Sequence, residues 1–200
     1  KTQQDRIKHY INLIENNPSF KHKKNIIEFT KHSSLKSGNF LRIGSGSLGG
    51  KARGLAFANS LIESEFTKNQ FPDSIVKIPK TIVISTDEFD RFMDINNLWD
   101  AALHSKTNEE IVEIFLTGRL SREIIIIIKD ILKELKTPLA IRSSSLLEDS
   151  QYQPLAGMYS TFMLPNSSEN SKERLSQVCE AIKRIYASTF FQGAKAIMDT

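Results

Sequence analysis

The distribution of glycine constrains the fold of this chain more than any other sequence feature. Five of the nine glycines lie between Gly44 and Gly54, in the run GSGSLGGKARG. The short apolar stretch 40–43 precedes this run, and residues 51–65 after it carry apolar side chains near helical spacing. Glycine permits positive φ and lets neighbouring amide groups point into one concavity. The pattern therefore predicts a strand, a glycine-rich loop over residues 44–50, and a helix.

Positive charge collects at the end of this predicted loop. Lys51 and Arg53 supply full charges, and a helix beginning at Gly50 or Lys51 adds the partial charge of its first amides. This combination indicates a cradle for phosphate oxygens. A structural turn followed by a surface lysine is the alternative interpretation.

The loop satisfies none of three well-known nucleotide motifs in full. Gly44, Gly46 and Gly49 match GxGxxG, but the acidic residue expected about 20 positions later would be Asp73, which has no strand pattern before it. A P-loop fails because Ala52 stands where a hydroxyl residue is needed. The protein-kinase set fails because no HRD or DFG follows.

A second stretch suited to anions spans residues 138–161. A predicted strand over residues 139–143 ends with Arg142 and Ser143, and the acidic pair Glu148 and Asp149 follows. Arginine can fork onto phosphate oxygens, and serine hydroxyls add neutral donors. A structural ion pair between Arg142 and the acidic pair is the alternative.

The remaining sequence alternates strand and helix patterns, which predicts an α/β or α+β fold with a mixed sheet layered with helices. Thr86 is expected to cap a helix with Asp87 and Glu88 in its first turn, near the positive end of the helix dipole. Gly118 is expected to end a helix, and Ser121 to cap another whose isoleucine run suits a strand by composition but a helix by its flanks. The predicted helices cover residues 5–15, 25–32, 51–65, 108–115, 122–136 and 172–191, with further helical segments after Thr86 and around Trp99, and the predicted strands cover 40–43, 78–85, 139–143 and 158–164.

Composition narrows the class of protein. Lysine plus arginine number 27 against 23 aspartate plus glutamate, and this mild excess suits anionic ligands. Aromatic residues make up 8% and no basic stripe is interleaved with them, which argues against a nucleic-acid partner. The longest apolar run, Ile124 to Ile128, is too short for a membrane span. Cys179 is the single cysteine, so no intrachain disulfide is possible and a reducing compartment, the cytoplasm, is expected. Its side chain is interpreted as a core residue.

Together, the two anion-suited stretches resemble the N-terminal nucleotide-binding domain of the phosphoenolpyruvate synthase and pyruvate phosphate dikinase family. The resemblance is carried by GGKARGLA at residues 49–56 and IRSSSLLEDSQYQPLAGMYSTF at residues 141–162. Weaker support comes from residues 78–89 and from YASTF at 186–190. It covers residues 40–200 and leaves residues 1–39 as a helical N-terminal extension. Because the chain starts with lysine and ends before the family's second subdomain, we expect a piece of a longer enzyme.

The resemblance implies an ATP-grasp type of nucleotide site with ATP and Mg²⁺ as cofactors. By position, Lys51 and Arg142 match the family's phosphate-contacting, catalytic cations, and Glu148 and Asp149 match a pair that orients Arg142. The nucleotide-binding positions are Gly49, Gly50, Lys51, Arg142, Ser143, Gly157 and Thr161. Magnesium ligands are expected outside this chain, and no metal ligand is assigned within it.

The resemblance also implies a phosphotransferase. ATP phosphates would pass to a histidine on a separate swivelling domain, and a further domain would transfer phosphate to pyruvate or to another acceptor. None of the four histidines here lies in the threonine-serine-histidine context of that residue. Met158 and residues 151–155 depart from the family pattern. A non-catalytic anion-binding or interaction module, and a dikinase with an acceptor other than pyruvate, are the alternatives.

Overall fold

Five strands and seven helices are present in the described part of the chain. The computed structural model describes residues 27–28, 40–63, 77–145 and 159–198. The strands are β1 (Ile27–Glu28), β2 (Phe40–Ile43), β3 (Thr81–Ile84), β4 (Leu139–Arg142) and β5 (Thr161–Leu164). The helices are α1 (Gly49–Glu63), α2 (Thr86–Ile95), α3 (Trp99–His104), α4 (Asn108–Thr117), α5 (Arg122–Glu134), α6 (Ser171–Ser188) and α7 (Gln192–Met198).

The described strands form two small sheets. Strands β1, β2 and β3 pair in parallel in that order, with Leu41 opposite Ile82 and Ile43 opposite Ile84. Strands β4 and β5 pair antiparallel. The fold is therefore α+β in composition, with one parallel and one antiparallel sheet where a single mixed sheet was predicted.

The N-terminal segment departs from the sequence-based prediction at one point. A helix was expected over residues 25–32, but Ile27–Glu28 is a strand, so the helical prediction is wrong there. These residues pair with Leu41 and Arg42 of β2. A neighbouring strand offers hydrogen bonds that a local pattern does not reveal, and a β-branched residue fits such a ladder well. The helix predicted over residues 5–15 lies outside the described residues.

The main core is formed mostly by helices and also includes Leu41 and Ile43 of β2. The buried residues of α5 recur three and four positions apart and form one buried stripe along the helix. This spacing matches the helical repeat, so the isoleucine run can bury one face as a helix. The Ser121 hydroxyl accepts a hydrogen bond from the Ile124 amide at 3.2 Å, so the predicted cap is confirmed. Cys179 packs against this core half-buried, as predicted. The buried residues include Phe92, Met93, Ile111, Phe115, Ile124, Ile128, Val178 and Ile182.

Several boundaries differ from the predicted ones. The helix cap assigned to Thr86 is wrong: Ser85 is the N-cap residue of α2, and Thr86 is already helical. The strand expected over residues 78–85 is shorter, β3, and the helix expected over residues 172–191 ends at Ser188 before α7 begins. Gly118 ends α4 as predicted, but at a φ of −63°, and an added Cβ would lie 2.7 Å from the Phe92 ring. Close packing therefore explains this glycine.

Candidate functional site

The glycine-rich loop, residues 44–48, lies against the start of α2. The Asp87 carboxylate accepts hydrogen bonds from the Ser45 amide at 2.9 Å, the Gly46 amide at 3.0 Å and the Ser45 hydroxyl at 3.1 Å. The Ser85 hydroxyl lies 2.5 Å from the same carboxylate and 2.7 Å from the Ile43 carbonyl oxygen. A side chain of α2 thus occupies the concavity formed by the first half of the loop.

Two of the loop glycines are explained by this close approach. Gly44 has a φ of +85°, and a Cβ added there would lie 2.4 Å from the Ser85 hydroxyl oxygen. At Gly46 an added Cβ would lie 2.6 Å from the Asp87 amide nitrogen. The Ser45 and Gly46 amides already donate to a carboxylate, so the prediction that the glycine run binds phosphate remains only for its second half.

The second half of the run touches the end of β4. Gly49 has a φ of +76°, and an added Cβ would lie 1.2 Å from the Ser144 carbonyl oxygen. The Ala52 amide donates to the Ser144 hydroxyl at 2.9 Å, across 92 positions of sequence. The first turn of α1, which contains Gly50 and Lys51, and the residues that follow Arg142 are therefore in direct contact.

Arg142 and Thr161 lie on the same open face of the β4–β5 pair. They are partners in the antiparallel register, and both are exposed. Directly opposite residues of such a pair have neighbouring side chains. Ser143 is buried, whereas Lys51 is half-buried with its Nζ atom shielded from solvent. Among the described residues, the segments that carry Lys51, Arg142 and Thr161 are thus in contact with one another. The Ser143 side chain lies inside the protein.

Helix α6 supports the start of β5. The Ser188 hydroxyl accepts a hydrogen bond from the Ser160 amide at 3.2 Å and donates to the Ile185 carbonyl at 2.7 Å. Ser188 is completely buried, and it belongs to the YASTF segment. This segment therefore fixes the residue that immediately precedes Thr161.

Sequence reasoning missed two residues of this region, Asp87 and Ser144. Asp87 was assigned only to the first turn of a helix, and Ser144 was one of three consecutive serines. The available signal was the polar run Ser85, Thr86, Asp87 directly after the apolar strand β3. Three other predicted residues, Glu148, Asp149 and Gly157, lie outside the described residues.

The electrostatics of the loop are dominated by Asp87. Partial burial raises the pKa of its carboxyl, but hydrogen bonds from the Ser45 amide, the Ser85 hydroxyl and the Gly46 amide outweigh burial and hold this pKa far below its usual range. Asp87 is therefore an anion at every physiological pH.

Burial raises the pKa of the Tyr186 hydroxyl, and the charges of Glu88 and Asp87 add to that shift.

The described residues of the predicted site offer groups of the kind that bind phosphate oxygens. Lys51, Arg142 and Thr161 supply two cations and a hydroxyl, the groups that bind phosphate oxygens. The carboxylate beside the loop, Asp87, already accepts from several donors. Within residues 27–28, 40–63, 77–145 and 159–198, no cluster of three or more histidine, cysteine, aspartate or glutamate residues could hold a metal. None of the described helices combines the length and apolar character that crossing a bilayer requires.

Comparison with known families identifies the domain. Residues 45–198 match the family model described as the pyruvate phosphate dikinase, AMP/ATP-binding domain. No curated protein and no solved structure matches the chain. The match spans more than half of the chain and includes both stretches that carried the resemblance, so that prediction is confirmed. The chain belongs to the family of pyruvate phosphate dikinase AMP/ATP-binding domains.

Proposed function

We propose that this chain holds the phosphates of ATP for transfer to a histidine on a separate domain of a dikinase-type phosphotransferase. Membership of an AMP/ATP-binding family supports nucleotide binding. The observation that carries the assignment to particular residues is the contact of Gly49 and Ala52 with Ser144. This contact joins the segment of Lys51 to the segment of Arg142.

In this proposal the two cations divide the work. Lys51 acts as a compact point charge beside the first amides of α1, while the planar guanidinium of Arg142 binds two phosphate oxygens at once. Phosphoryl transfer depends mainly on positioning and on neutralising charge spread over oxygens. Groups held by a helix start and by a strand end can supply both without reorganising.

Neutral groups complete the proposed site. The Thr161 hydroxyl, opposite Arg142, donates to the same phosphate region, and the Gly50 amide contributes at the start of α1. Ser143 is assigned a backbone role, because its side chain is buried. Glu148 and Asp149 are proposed to orient Arg142, and Gly157 to let the backbone approach the nucleotide.

The wider reaction follows from the family resemblance. We infer an ATP-grasp arrangement in which a second subdomain closes the site and supplies the magnesium ligands. The phosphohistidine domain would then carry phosphate to pyruvate or to a different small acceptor.

Calorimetry of ATP binding to the full-length protein tests the residue assignment. Lys51→Ala and Arg142→Ala should each weaken binding by about tenfold to a hundredfold, as expected for losing hydrogen bonds to a charged group. Arg142→Lys should give an intermediate loss, because the charge stays and the fork is lost. Lys129→Ala and Arg119→Ala are matched controls, since both residues are exposed on other helices or loops. If all four alanine variants bind ATP alike, the assignment is wrong.

Labelling tests the transfer itself. With ATP radiolabelled in each phosphate in turn, we expect an acid-labile, base-stable phosphohistidine on the full-length protein, and none with Lys51→Ala and Arg142→Ala combined. Tight ATP binding without any labelled protein would contradict phosphoryl transfer and would favour the non-catalytic binding module.

A further inference from the structure

One carboxylate joins the glycine-rich loop to α2. Asp87 lies 42 and 41 positions from Ser45 and Gly46, yet it accepts from both amides, at 2.9 Å and 3.0 Å. Hydrogen bonds to an ionised acceptor are roughly twice as strong as those between neutral groups. These contacts explain why Asp87 carries its charge in a partly buried position.

The neighbouring threonine holds the next loop residue from both sides. The Ser47 amide donates to the Thr86 hydroxyl at 3.0 Å, and the Thr86 amide donates to the Ser47 carbonyl at 3.1 Å. Only Leu48 separates Ser47 from the first residue of α1, Gly49. Movement of the loop would therefore be passed directly to the start of α1.

The helix that carries these anchors is itself fixed by the core. Phe92 and Met93 of α2 are almost fully buried, and the Phe92 ring lies 5.8 Å from the Phe115 ring, centroid to centroid. Close-packed cores transmit displacement rather than absorb it. The start of α2 is thus a rigid platform for the loop.

Resting on the function proposed above, we propose that Asp87 is a positioning residue of the nucleotide site. Its carboxylate fixes residues 44–48 against α2 and thereby sets the position of Gly50 and Lys51. Asp87 does not contact the nucleotide, because its oxygens already face the loop amides and hydroxyls. The Ser45 and Gly46 amides serve the loop and are not phosphate donors.

The first test is ATP affinity of Asp87→Asn in the full-length protein. Asparagine presents an NH₂ group to one of two amides that are themselves donors, so the loop is no longer held. Gly50 and Lys51 are then misplaced, and we expect ATP to bind about tenfold to a hundredfold more weakly, the range expected for losing hydrogen bonds to a charged group. Asp90→Asn removes the same charge from an exposed position of α2 and should leave affinity unchanged.

The second test is a double-mutant cycle with Lys51→Ala. If Asp87 acts through Lys51, Asp87→Asn should weaken binding much less in the Lys51→Ala background than in the wild type. A purely structural loss would instead multiply with the effect of Lys51→Ala, and that result would overturn the inference. If Lys51→Ala alone leaves ATP affinity unchanged, the proposed function fails; if only Asp87→Asn is without effect, the positioning role alone fails.

Hydrogen exchange supplies a readout of the loop itself. The Ser45 and Gly46 amides should exchange faster in Asp87→Asn, while amides of β4 and β5 keep their protection. Tighter ATP binding by this variant would show that Asp87 blocks a phosphate subsite, and would refute the proposal. Should Asp87→Asn lower the folded fraction, Thr86→Val removes the hydroxyl that holds Ser47 and must also weaken ATP binding for the proposal to stand.

Discussion

Replacing Gly49 with alanine tests whether the start of α1 must lie directly against Ser144, two residues after β4. The alanine Cβ would lie 1.2 Å from the Ser144 carbonyl oxygen and 2.4 Å from its carbonyl carbon. Both obstacles are backbone atoms, so no side-chain rotation can relieve the overlap. The two segments have to separate for the substitution to be accommodated.

Three costs set the expected size of the effect. A φ of +76° costs an L-residue about 1–2 kcal/mol, and inserting a methyl group into a packed site costs about 1–3 kcal/mol. Separation of the segments also breaks the hydrogen bond from the Ala52 amide to the Ser144 hydroxyl, worth about 0.5–1.5 kcal/mol. We expect Gly49→Ala to lower the free energy of unfolding by about 3–6 kcal/mol.

Urea unfolding followed by circular dichroism measures this change, with calorimetry of ATP binding alongside. Gly54→Ala is a matched control in the same helix, because nothing lies within 4 Å of an added Cβ there. Alanine is a better helix former than glycine, so this control should be neutral or stabilising by up to about 1 kcal/mol. If Gly49→Ala unfolds at the same urea concentration as Gly54→Ala and binds ATP equally well, the start of α1 does not lie against Ser144.

Three further predictions concern α2 and the core around it. The pKa of the Asp87 carboxyl is depressed in the folded protein. The stability that its charge provides is therefore present above the unfolded-state pKa, near 4, and is lost as pH falls toward the folded-state pKa. The difference in free energy of unfolding between wild type and Asp87→Asn should stay constant from about pH 8 to 5 and shrink below about pH 4. A difference independent of pH down to acid unfolding would contradict this assignment. Tyr186→Phe should leave the free energy of unfolding unchanged or raise it by up to about 1 kcal/mol, because the buried hydroxyl has no hydrogen-bond partner among the described residues. Urea titration measures this free energy, and a loss above about 1 kcal/mol would reveal such a partner. Ser121→Ala should lower the free energy of unfolding by about 1–3 kcal/mol in the same assay, because it removes the cap bonded to the Ile124 amide and the donor to the buried Glu88 carboxylate. An unchanged urea midpoint would refute the cap.

Local sequence patterns predicted those elements whose determinants are close in sequence. The Ser121 cap and the flanks of the isoleucine run identified α5, and the glycine run located the junction between β2 and α1. The strand Ile27–Glu28 was missed because it is stabilised by pairing with β2, which its own sequence does not reveal. Pairing between separate segments overrides local helical spacing.

The site shows the same division. Lys51 and Arg142 were predicted from their neighbours in sequence, and the contact between their segments depends on Ser144, which those neighbours do not reveal. For Asp87, the helix-dipole argument correctly put a negative charge in the first turn of α2. It could not reveal that two amides more than 40 positions earlier use that charge.

The obstacle at Gly49 is a peptide carbonyl, and every amino acid at position 144 would carry the same group. No substitution at position 144 can therefore make room for a larger residue at position 49, although it can remove the hydroxyl that holds the Ala52 amide. Suppressors of Gly49→Ala should arise instead where the path of the main chain can bend, on either side of the junction, and selection for restored nucleotide binding would reveal them.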